Sequence, residues 1–361
     1  MKNTFGTGIS VTLFGESHGA EIGAVIDGLS PGIKVDYDLI ESSLTARRPY
    51  GKLSTARCES DPYRIVSGVY NGYTTGTPIA IIIPNGDTRS RDYSYLKDTP
   101  RPSHADYAAE VKYHGYQDER GGGHFSGRLT APLVIVGAIL RSALMNKGIY
   151  IGTHISRLHG VTDREILGVE DVKALSNMLF PVLDTTASEN MQNEILKARE
   201  SGDSVGGILE TAVYGVPAGV GEPFFDSVES LLSHALFSIP GIKGVEFGAG
   251  FRLADMLGSE ANDPFTFEGE RVVTRTNNSG GINGGITNGM PITVRCAVRP
   301  TPSIFKEQAT VSLKEAKDTT LSIKGRHDPA IVHRARAAVD AVTAIVIADL
   351  LTTRYGTDYL K

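Results

Sequence analysis

Five short segments of this chain are rich in glycine, histidine or arginine, and they constrain the fold and function more than any other feature. Their sequences are GESHG at 15–19, RPSHAD at 101–106, RGGGHFSGR at 120–128, GGINGGITNG at 280–289 and GRHDP at 325–329. Glycine lets a backbone approach a ligand and turn its N–H groups toward an anion. Arginine binds phosphate and carboxylate, and histidine transfers protons near neutral pH. The segments predict one site, built from several loops, for a ligand with several negative charges.

The composition narrows the class of protein. The chain has 361 residues, of which 40% are hydrophobic, enough for one large domain or two ordinary ones. No Pro/Ser linker, low-complexity tract or repeat divides it, and related motifs lie near both ends, so we predict a single domain over 1–361. The net charge of −5 argues against a general nucleic-acid surface.

The apolar stretches and the cysteines indicate where in the cell the protein is located. The first residues lack the apolar run of a signal peptide, and the longest apolar stretches, 79–83 and 133–140, are too short to span a bilayer. Cys58 and Cys296 lack the spacing of a zinc site. We therefore interpret both as reduced thiols. We therefore expect a cytoplasmic protein that binds neither membrane nor nucleic acid.

Strand patterns outnumber helix patterns. Apolar and β-branched runs predict strands at 9–14, 22–26, 63–70, 78–83, 150–155, 205–214 and 292–298, with a hairpin-like turn at 71–72. Helix signals predict helices at 37–48, 105–113, 130–145, 189–200, 227–236 and 331–351, with Asp36, Ser103 and Asp328 as N-caps. The short connections favour an α+β fold of antiparallel sheets over a doubly wound fold.

The segment 120–128 is the most specific of the five. Three glycines, then His124, Ser126 and Arg128, lead directly into a helix that is apolar on nearly all sides. Free N–H groups, a helix dipole and side-chain donors would then lie together. A merely flexible glycine loop does not usually precede so apolar a helix, so we favour a ligand-binding role.

The segment 15–19 matches the G-x-S-x-G pattern of serine hydrolases, which requires a strand, a sharp turn and a helix. Residues 20–27 resemble another strand instead, which argues against a hydrolase. Ser17 is better interpreted as a hydroxyl donor and His18 as an acid. A plain β-turn with a half-exposed His18 is the alternative.

The remaining segments have simple structural explanations as well. A capped helix start accounts for Ser103 and Asp106 but not for Arg101 and His104. A tight turn accounts for 280–289, which lacks the Lys-Ser/Thr ending of a phosphate loop.

In the segment 325–329, capping accounts for Asp328, although Arg326 beside it could bind an anion. Metal binding is disfavoured because none of the nine histidines has a zinc-type spacing.

The chain resembles the chorismate synthase family over essentially its whole length. The matching blocks include GESHG at 15–19, GDSVGG at 202–207, GVEFG at 244–248, RTNN at 275–278 and RHDP at 326–329. Several family blocks in the right order are far more specific than one glycine motif. The resemblance implies a sandwich of antiparallel β-sheets around a helical core, assembled as a homotetramer.

The resemblance also implies an activity. The family converts 5-enolpyruvylshikimate 3-phosphate to chorismate and phosphate by an anti-1,4-elimination, the last common step of the shikimate pathway to aromatic amino acids. It requires reduced FMN, although the reaction has no net redox change. A substrate with a phosphate and two carboxylates agrees with the arginines, and a leaving phosphate requires a general acid.

Residue roles follow from the resemblance. His18 would protonate the leaving phosphate, His104 would face the flavin, and Asp328 would assist removal of the ring proton. The substrate would be bound by Ser17, Arg48, Lys52, Arg101, Ser126, Arg128 and Arg326. The flavin would be bound by Arg47, His124, Phe125, Ser126, Pro240, Gly241, Gly284, Arg299, Pro300, Thr301, Pro302, Ser303, Lys306, Thr310 and Arg326.

Some positions depart from the common family pattern. His124-Phe125 and Pro240-Gly241 replace other residues at expected flavin contacts, Ser103 replaces a glycine, and Lys52 lies near a usual arginine. Lysine keeps the charge but loses the bidentate fork.

The source of reduced flavin divides the family, since some members reduce it with NADPH (the NADP-linked type) and others receive it from a separate enzyme. The chain has no appended reductase-like segment, so we expect an external flavin reductase. Two rival functions remain open: a flavin-binding protein without lyase activity, and a phosphohydrolase that uses Ser17 or a metal.

Overall fold

The computed structural model describes residues 2–54, 60–86, 98–323 and 327–361. Its strands are β1 Thr4–Phe5, β2 Ser10–Gly15, β3 Glu21–Asp27, β4 Arg64–Ile65, β5 Val69–Tyr70, β6 Tyr73–Thr74, β7 Ile79–Pro84, β8 Tyr150–Leu158, β9 Val161–Thr162, β10 Gly207–Tyr214, β11 Ile242–Phe247, β12 Phe265–Glu268, β13 Arg271–Thr274, β14 Ile282–Asn283, β15 Ile286–Thr287, β16 Ile292–Val298, β17 Gln308–Ser312 and β18 Lys317–Leu321. Its helices are α1 Tyr37–Arg47, α2 Asp106–Tyr113, α3 Thr130–Asn146, α4 Val169–Leu175, α5 Thr185–Glu200, α6 Val228–Phe237, α7 Gly258–Ala261 and α8 Val332–Tyr355.

Two antiparallel sheets of five strands each form the outer layers. The strand orders are β1-β2-β3-β7-β4 in the first sheet and β11-β16-β10-β8-β9 in the second. In the first sheet Gly15 pairs with Ile22, so the GESHG segment forms the turn between β2 and β3. The strand predicted after this turn is confirmed, and the local geometry is not the strand–turn–helix of a serine hydrolase.

The helix α3 lies between the sheets and is buried on nearly all sides. It contacts β3 and β7 of the first sheet, β8 of the second, and the long helix α8. The contact with α8 is close because a β-carbon on Gly137 would lie only 2.3 Å from the Cβ of Ala341. The predicted α+β sandwich around a helical core is confirmed. One continuous cluster of buried residues runs from Ile9 to Leu360. The cluster supports a single domain, which stays a prediction.

The segment Gly127–Asn146 is long and apolar enough to cross a membrane, with a mean hydropathy of 1.6. It is longer than the apolar stretch at 133–140 on which the sequence analysis relied. However, 78% of its apolar window is buried inside the protein, as expected for a core helix.

Most predicted elements are confirmed, with small shifts at their ends. Asp36 caps α1 by accepting a hydrogen bond from the backbone N–H of Leu39 at 2.9 Å. The hairpin at 71–72 exists, but its second strand is β6, whereas β7 pairs with β3 and β4.

Two predicted N-caps are wrong. Ser103 has a φ of 59° and does not cap α2, which begins at Asp106 without a side-chain cap. Asp328 does not cap α8, which begins at Val332. Its Oδ2 instead accepts from Nη1 of Arg334 at 2.6 Å, since a charged donor provides a stronger hydrogen bond than a backbone N–H.

Candidate active site

The GESHG turn lies against the three glycines at 121–123. The backbone N–H of Ser17 donates to the carbonyl of Gly123 at 3.0 Å. Nδ1 of His124 donates to the carbonyl of Gly15 at 2.9 Å. All three glycines have positive φ values, between 52° and 87°, which a residue with a side chain rarely adopts. The first and third motif segments therefore form one structure.

His18 and Ser17 are almost completely buried at this junction, with 7% and 1% of their surface exposed. The ring of His18 packs on Gly121, where a β-carbon would lie 2.4 Å from its Nε2. Within the described ranges, Oγ of Ser17 has no hydrogen-bond partner. A buried hydroxyl without a partner is costly, so it indicates a polar ligand at this point.

A second histidine borders the same glycines. A β-carbon on Gly122 would lie 3.5 Å from Cε1 and 3.7 Å from Nε2 of His104, so the Nε2 edge of the ring faces the glycine segment. Nδ1 of His104 lies 2.6 Å from Oδ1 of Asp106, which also receives two hydrogen bonds from the side chain of Arg101. The structure therefore brings His18 and His104 to neighbouring residues of one loop.

Asp106 is held as a carboxylate. Burial by itself would raise its pKa, but the hydrogen bonds from Arg101 and His104 outweigh that effect and hold the pKa well below its usual range. The group therefore accepts hydrogen bonds and donates none at any pH near neutral.

A shallow, open crevice borders His104, Asp106 and Gly122. Its apolar lining includes Pro100, Ala105, Ala109, Phe125 and Leu313. An apolar wall beside convergent polar groups is typical of a site for an organic ligand.

Three arginines converge on one buried carboxylate. Nη1 of Arg47 donates to Oδ2 of Asp61 at 3.1 Å, Nη1 of Arg128 donates to Oδ1, and Nε of Arg48 lies 3.8 Å from Oδ2. The side chain of Asp61 has 0% exposure, and its φ is 47°, an uncommon value for a residue with a side chain. Guanidinium groups gathered in this way suit an anionic ligand, because each can bind a carboxylate or a phosphate.

This arginine cluster adjoins the GESHG turn. Nε of Arg128 donates to the side-chain oxygen of Asn85 at 3.2 Å. The side-chain nitrogen of Asn85 in turn donates to the carbonyls of Glu16 and Gly19, at 3.0 and 2.9 Å.

The segment around Asp328 reaches the same cluster from the other end of the chain. Arg334, which pairs with Asp328, also donates from Nε to the carbonyl of Arg47 at 2.8 Å. His327 packs on Phe305 with ring centres 5.1 Å apart. Burial lowers the pKa of His327, so its ring is neutral near pH 7.

Several predicted flavin residues lie beside the second motif segment. Nη1 of Arg299 donates to the carbonyl of Ser103, and Oγ1 of Thr310 donates to that of Pro100 at 2.6 Å. The N–H of Arg299 donates to the carbonyl of Gly241 at 3.0 Å. The structure thus joins 299–310 and Gly241 to the loop that carries His104.

The other predicted site residues have different surroundings. Gly284 forms the turn of the β14–β15 hairpin, which adjoins the start of α6. Lys52 is exposed, and its carbonyl accepts from Arg199 of α5. Nζ of Lys306 lies 2.7 Å from Oδ2 of Asp203. Arg326 and Cys58 lie outside the described residues.

Comparison with known proteins decides the family, because the family model described as chorismate synthase matches residues 9–352. The chain belongs to the chorismate synthase family. The chorismate synthase of Pyrococcus abyssi is 49% identical over 346 residues, covering 96% of each chain. That of Methanosarcina barkeri is 43% identical over 348 residues, covering 96% of this chain and 95% of the relative.

A solved structure gives the same result. A crystal structure of chorismate synthase superposes with a TM-score of 0.75 and 28% identity, and the match covers 98% of this chain and 95% of the other. The family predicted from the motifs is therefore confirmed.

Two carboxylates of this chorismate synthase fold, Asp61 and Asp106, were not predicted from the sequence as site residues. Asp61 follows no motif, and its arginine partners lie 14 and 67 residues away along the chain. Asp106 was interpreted as part of a capping box, although it lies in the same six residues as Arg101 and His104. Among the described residues, no group of three potential metal ligands lies in reach of one ion.

Proposed function

We propose that the active site of this lyase comprises the crevice beside His104 and Gly122 together with the adjoining junction of the GESHG turn and the three glycines. There 5-enolpyruvylshikimate 3-phosphate loses phosphate and a ring proton to give chorismate. One observation carries this proposal: His18 and His104, which lie far apart in the sequence, border the adjacent glycines Gly121 and Gly122. Two proton-transfer groups beside adjacent residues of one loop, near an arginine cluster, match an elimination from an anionic substrate.

The arginines bind the substrate's negative groups in this proposal. Arg48 and Arg128 lie around Asp61, and Arg101 lies near His104. Their planar forks suit phosphate and carboxylate.

The two proton transfers are assigned to separate residues. His18, as a general acid, donates a proton to the phosphate oxygen that leaves, and the Ser17 hydroxyl donates a hydrogen bond beside it. Asp328 assists removal of the ring proton, and the ion pair with Arg334 fixes its carboxylate. Ser126 positions Arg128, because its Oγ accepts from the backbone N–H of that residue at 3.2 Å.

The residues present fit reduced FMN. The apolar lining around Phe125 and Pro100 suits a flat ring system, and the buried Oγ1 of Thr301, which has no hydrogen-bond partner within the described ranges, suits a polar ligand edge. When bound, reduced FMN supplies an electron transiently and regains it, so there is no net redox change. We propose that it is held by Arg47, His104, His124, Phe125, Ser126, Pro240, Gly241, Arg299, Pro300, Thr301, Pro302, Ser303, Lys306 and Thr310.

We further propose that the protein is cytoplasmic, assembles as a homotetramer and takes reduced flavin from a separate reductase. The homotetramer rests on the family, and the separate reductase rests on the sequence, in which no reductase-like segment is recognised. Gly284 and Lys52 lie away from the crevice within one chain, and a ligand role for either would require a neighbouring subunit.

An anaerobic assay with chemically reduced FMN tests the proposed function. We expect equal amounts of chorismate and phosphate, and neither product with oxidised FMN. Phosphate without chorismate would indicate the hydrolase instead. Binding of FMN with neither product would indicate a flavin-binding protein only.

A further inference from the structure

The carboxylate of Asp106 contacts both Arg101 and His104 through short hydrogen bonds. Its Oδ2 accepts from the backbone N–H of Arg101 at 3.0 Å and from Nε at 2.8 Å. Its Oδ1 accepts from Nη2 of Arg101 at 2.8 Å and lies 2.6 Å from Nδ1 of His104. The side chains of Asp106 and His104 are each 18% exposed, and that of Arg101 is 7% exposed. All three are thus largely shielded from water.

These contacts determine which ring nitrogen of His104 carries the proton. An ionised carboxylate only accepts hydrogen bonds, so Nδ1 must be the donor across the 2.6 Å contact. Nη2 of Arg101 also lies 2.9 Å from Nδ1, but it already donates to Asp106, and a protonated Nδ1 cannot accept from it. In the neutral ring the lone pair is therefore on Nε2, the edge that faces Gly122 and the crevice.

We propose that Asp106 is a positioning residue that keeps the proton of neutral His104 on Nδ1 and so directs Nε2 into the crevice. The proposal rests on the proposed function, in which His104 faces the bound flavin. In this role Asp106 acts through His104. Its low pKa agrees with this role, because the carboxylate stays ionised while His104 gains or loses a proton at Nε2.

The change of Asp106 to Asn separates positioning from packing. The amide oxygen fits the Oδ2 position, where it would accept from the backbone N–H and Nε of Arg101. The third bond, from Nη2 of Arg101 to Oδ1, is lost. The amide NH2 then occupies the Oδ1 position and donates to Nδ1 of His104. The ring proton is forced to Nε2, with little change in side-chain volume.

The experiment combines kinetics with ring-nitrogen NMR of the full-length protein, uniformly labelled at histidine nitrogen, with His104 assigned by a His104→Gln difference spectrum. In the wild type we expect neutral His104 to carry its proton on Nδ1. In Asp106→Asn we expect the proton on Nε2. We also expect kcat to fall by roughly 10²–10⁴-fold, with a much smaller change in KM for the substrate.

A matched control is Asp171→Asn. Asp171 also forms a two-point ion pair with an arginine, at 2.8 and 2.7 Å from Arg164, and also accepts a backbone N–H, but no histidine shares its carboxylate. We expect this variant to keep the wild-type kcat and the wild-type His104 spectrum.

The proposal is overturned if neutral His104 carries its proton on Nε2 in the wild type, which can be observed even if Asp106→Asn does not fold. It is also overturned if the folded Asp106→Asn variant keeps the Nδ1 proton or the wild-type kcat. Failure of the proposed function would look different, since the wild type would then release no chorismate while the NMR readout still reported the tautomer.

Discussion

The ring of His18 lies directly on the backbone of Gly121, with no room for a β-carbon between them. Such an atom would lie 2.4 Å from Nε2, and Gly121 also has a φ of +60°. The glycine is therefore required twice, once for the backbone conformation and once for the closeness of the histidine.

The first prediction concerns this contact. Gly121→Ala should cost about 1–2 kcal/mol for the left-handed backbone and displace His18, lowering kcat by roughly 10–10³-fold because a small misplacement weakens proton transfer. Steady-state kinetics and urea unfolding measure the two effects.

Gly148→Ala is the matched control. Gly148 has a φ of +74°, and nothing lies within 4 Å of a β-carbon there. It should lose similar stability and keep kcat. Equal losses of kcat in both variants would show that the contact with His18 is unimportant.

The second prediction concerns Asp61, the carboxylate buried between Arg47 and Arg128. Asp61→Asn removes the buried carboxylate that both guanidinium groups share, which should lower the free energy of unfolding by about 3–5 kcal/mol. Urea denaturation measures the change.

The control for Asp61 is a surface ion pair. Glu21 accepts from Arg64 at 2.9 Å, with both side chains well exposed, so Glu21→Gln should cost at most about 1 kcal/mol. A loss for Asp61→Asn no larger than this would mean that the arginine cluster does not depend on Asp61.

The sequence predicted helices and strands well where residues close together in the chain determine the structure. The strand 292–298 alternates between buried and partly exposed residues, and its predicted bounds equal those of β16. The apolar run of α3 and Pro132 near its start predict this helix. These features depend on neighbours within one element, so the pattern alone reveals them.

The sequence could not predict contacts that depend on distant residues. Asp328 has the right neighbours for an N-cap, yet its ion pair with Arg334 prevails. Asp61 gains its role only because the fold brings α1 and the start of α3 to the same place. Long-range charge pairing of this kind has no local signature, whereas the glycine motifs do.

The third prediction concerns pH. Burial dominates the environment of His333 in α8 and lowers its pKa to about 3, and the ring accepts or donates one hydrogen bond, to Oγ of Ser54 at 2.9 Å. In the unfolded chain the pKa returns to about 6.5. Because the unfolded state binds the proton more readily, stability is fully present above pH 6.5 and is lost as pH falls toward 3.

Below pH 6 we therefore expect His333 to lower the free energy of unfolding of the wild type by about 1.4 kcal/mol for each pH unit of acidification. The plot of this free energy against pH should be flatter for His333→Gln between pH 4 and 6. His159→Gln, at an exposed histidine, is the control and should parallel the wild type. Chemical denaturation at several pH values measures all three. Parallel wild-type and His333→Gln curves would contradict the account.

The most direct test of the proposed active site is anaerobic turnover of 5-enolpyruvylshikimate 3-phosphate by His18→Ala with chemically reduced FMN, measured beside the wild type. If His18 is the general acid of the active site, the variant should fold normally and release chorismate and phosphate roughly 10²–10⁴-fold more slowly. Turnover close to that of the wild type would place the chemistry elsewhere in the molecule.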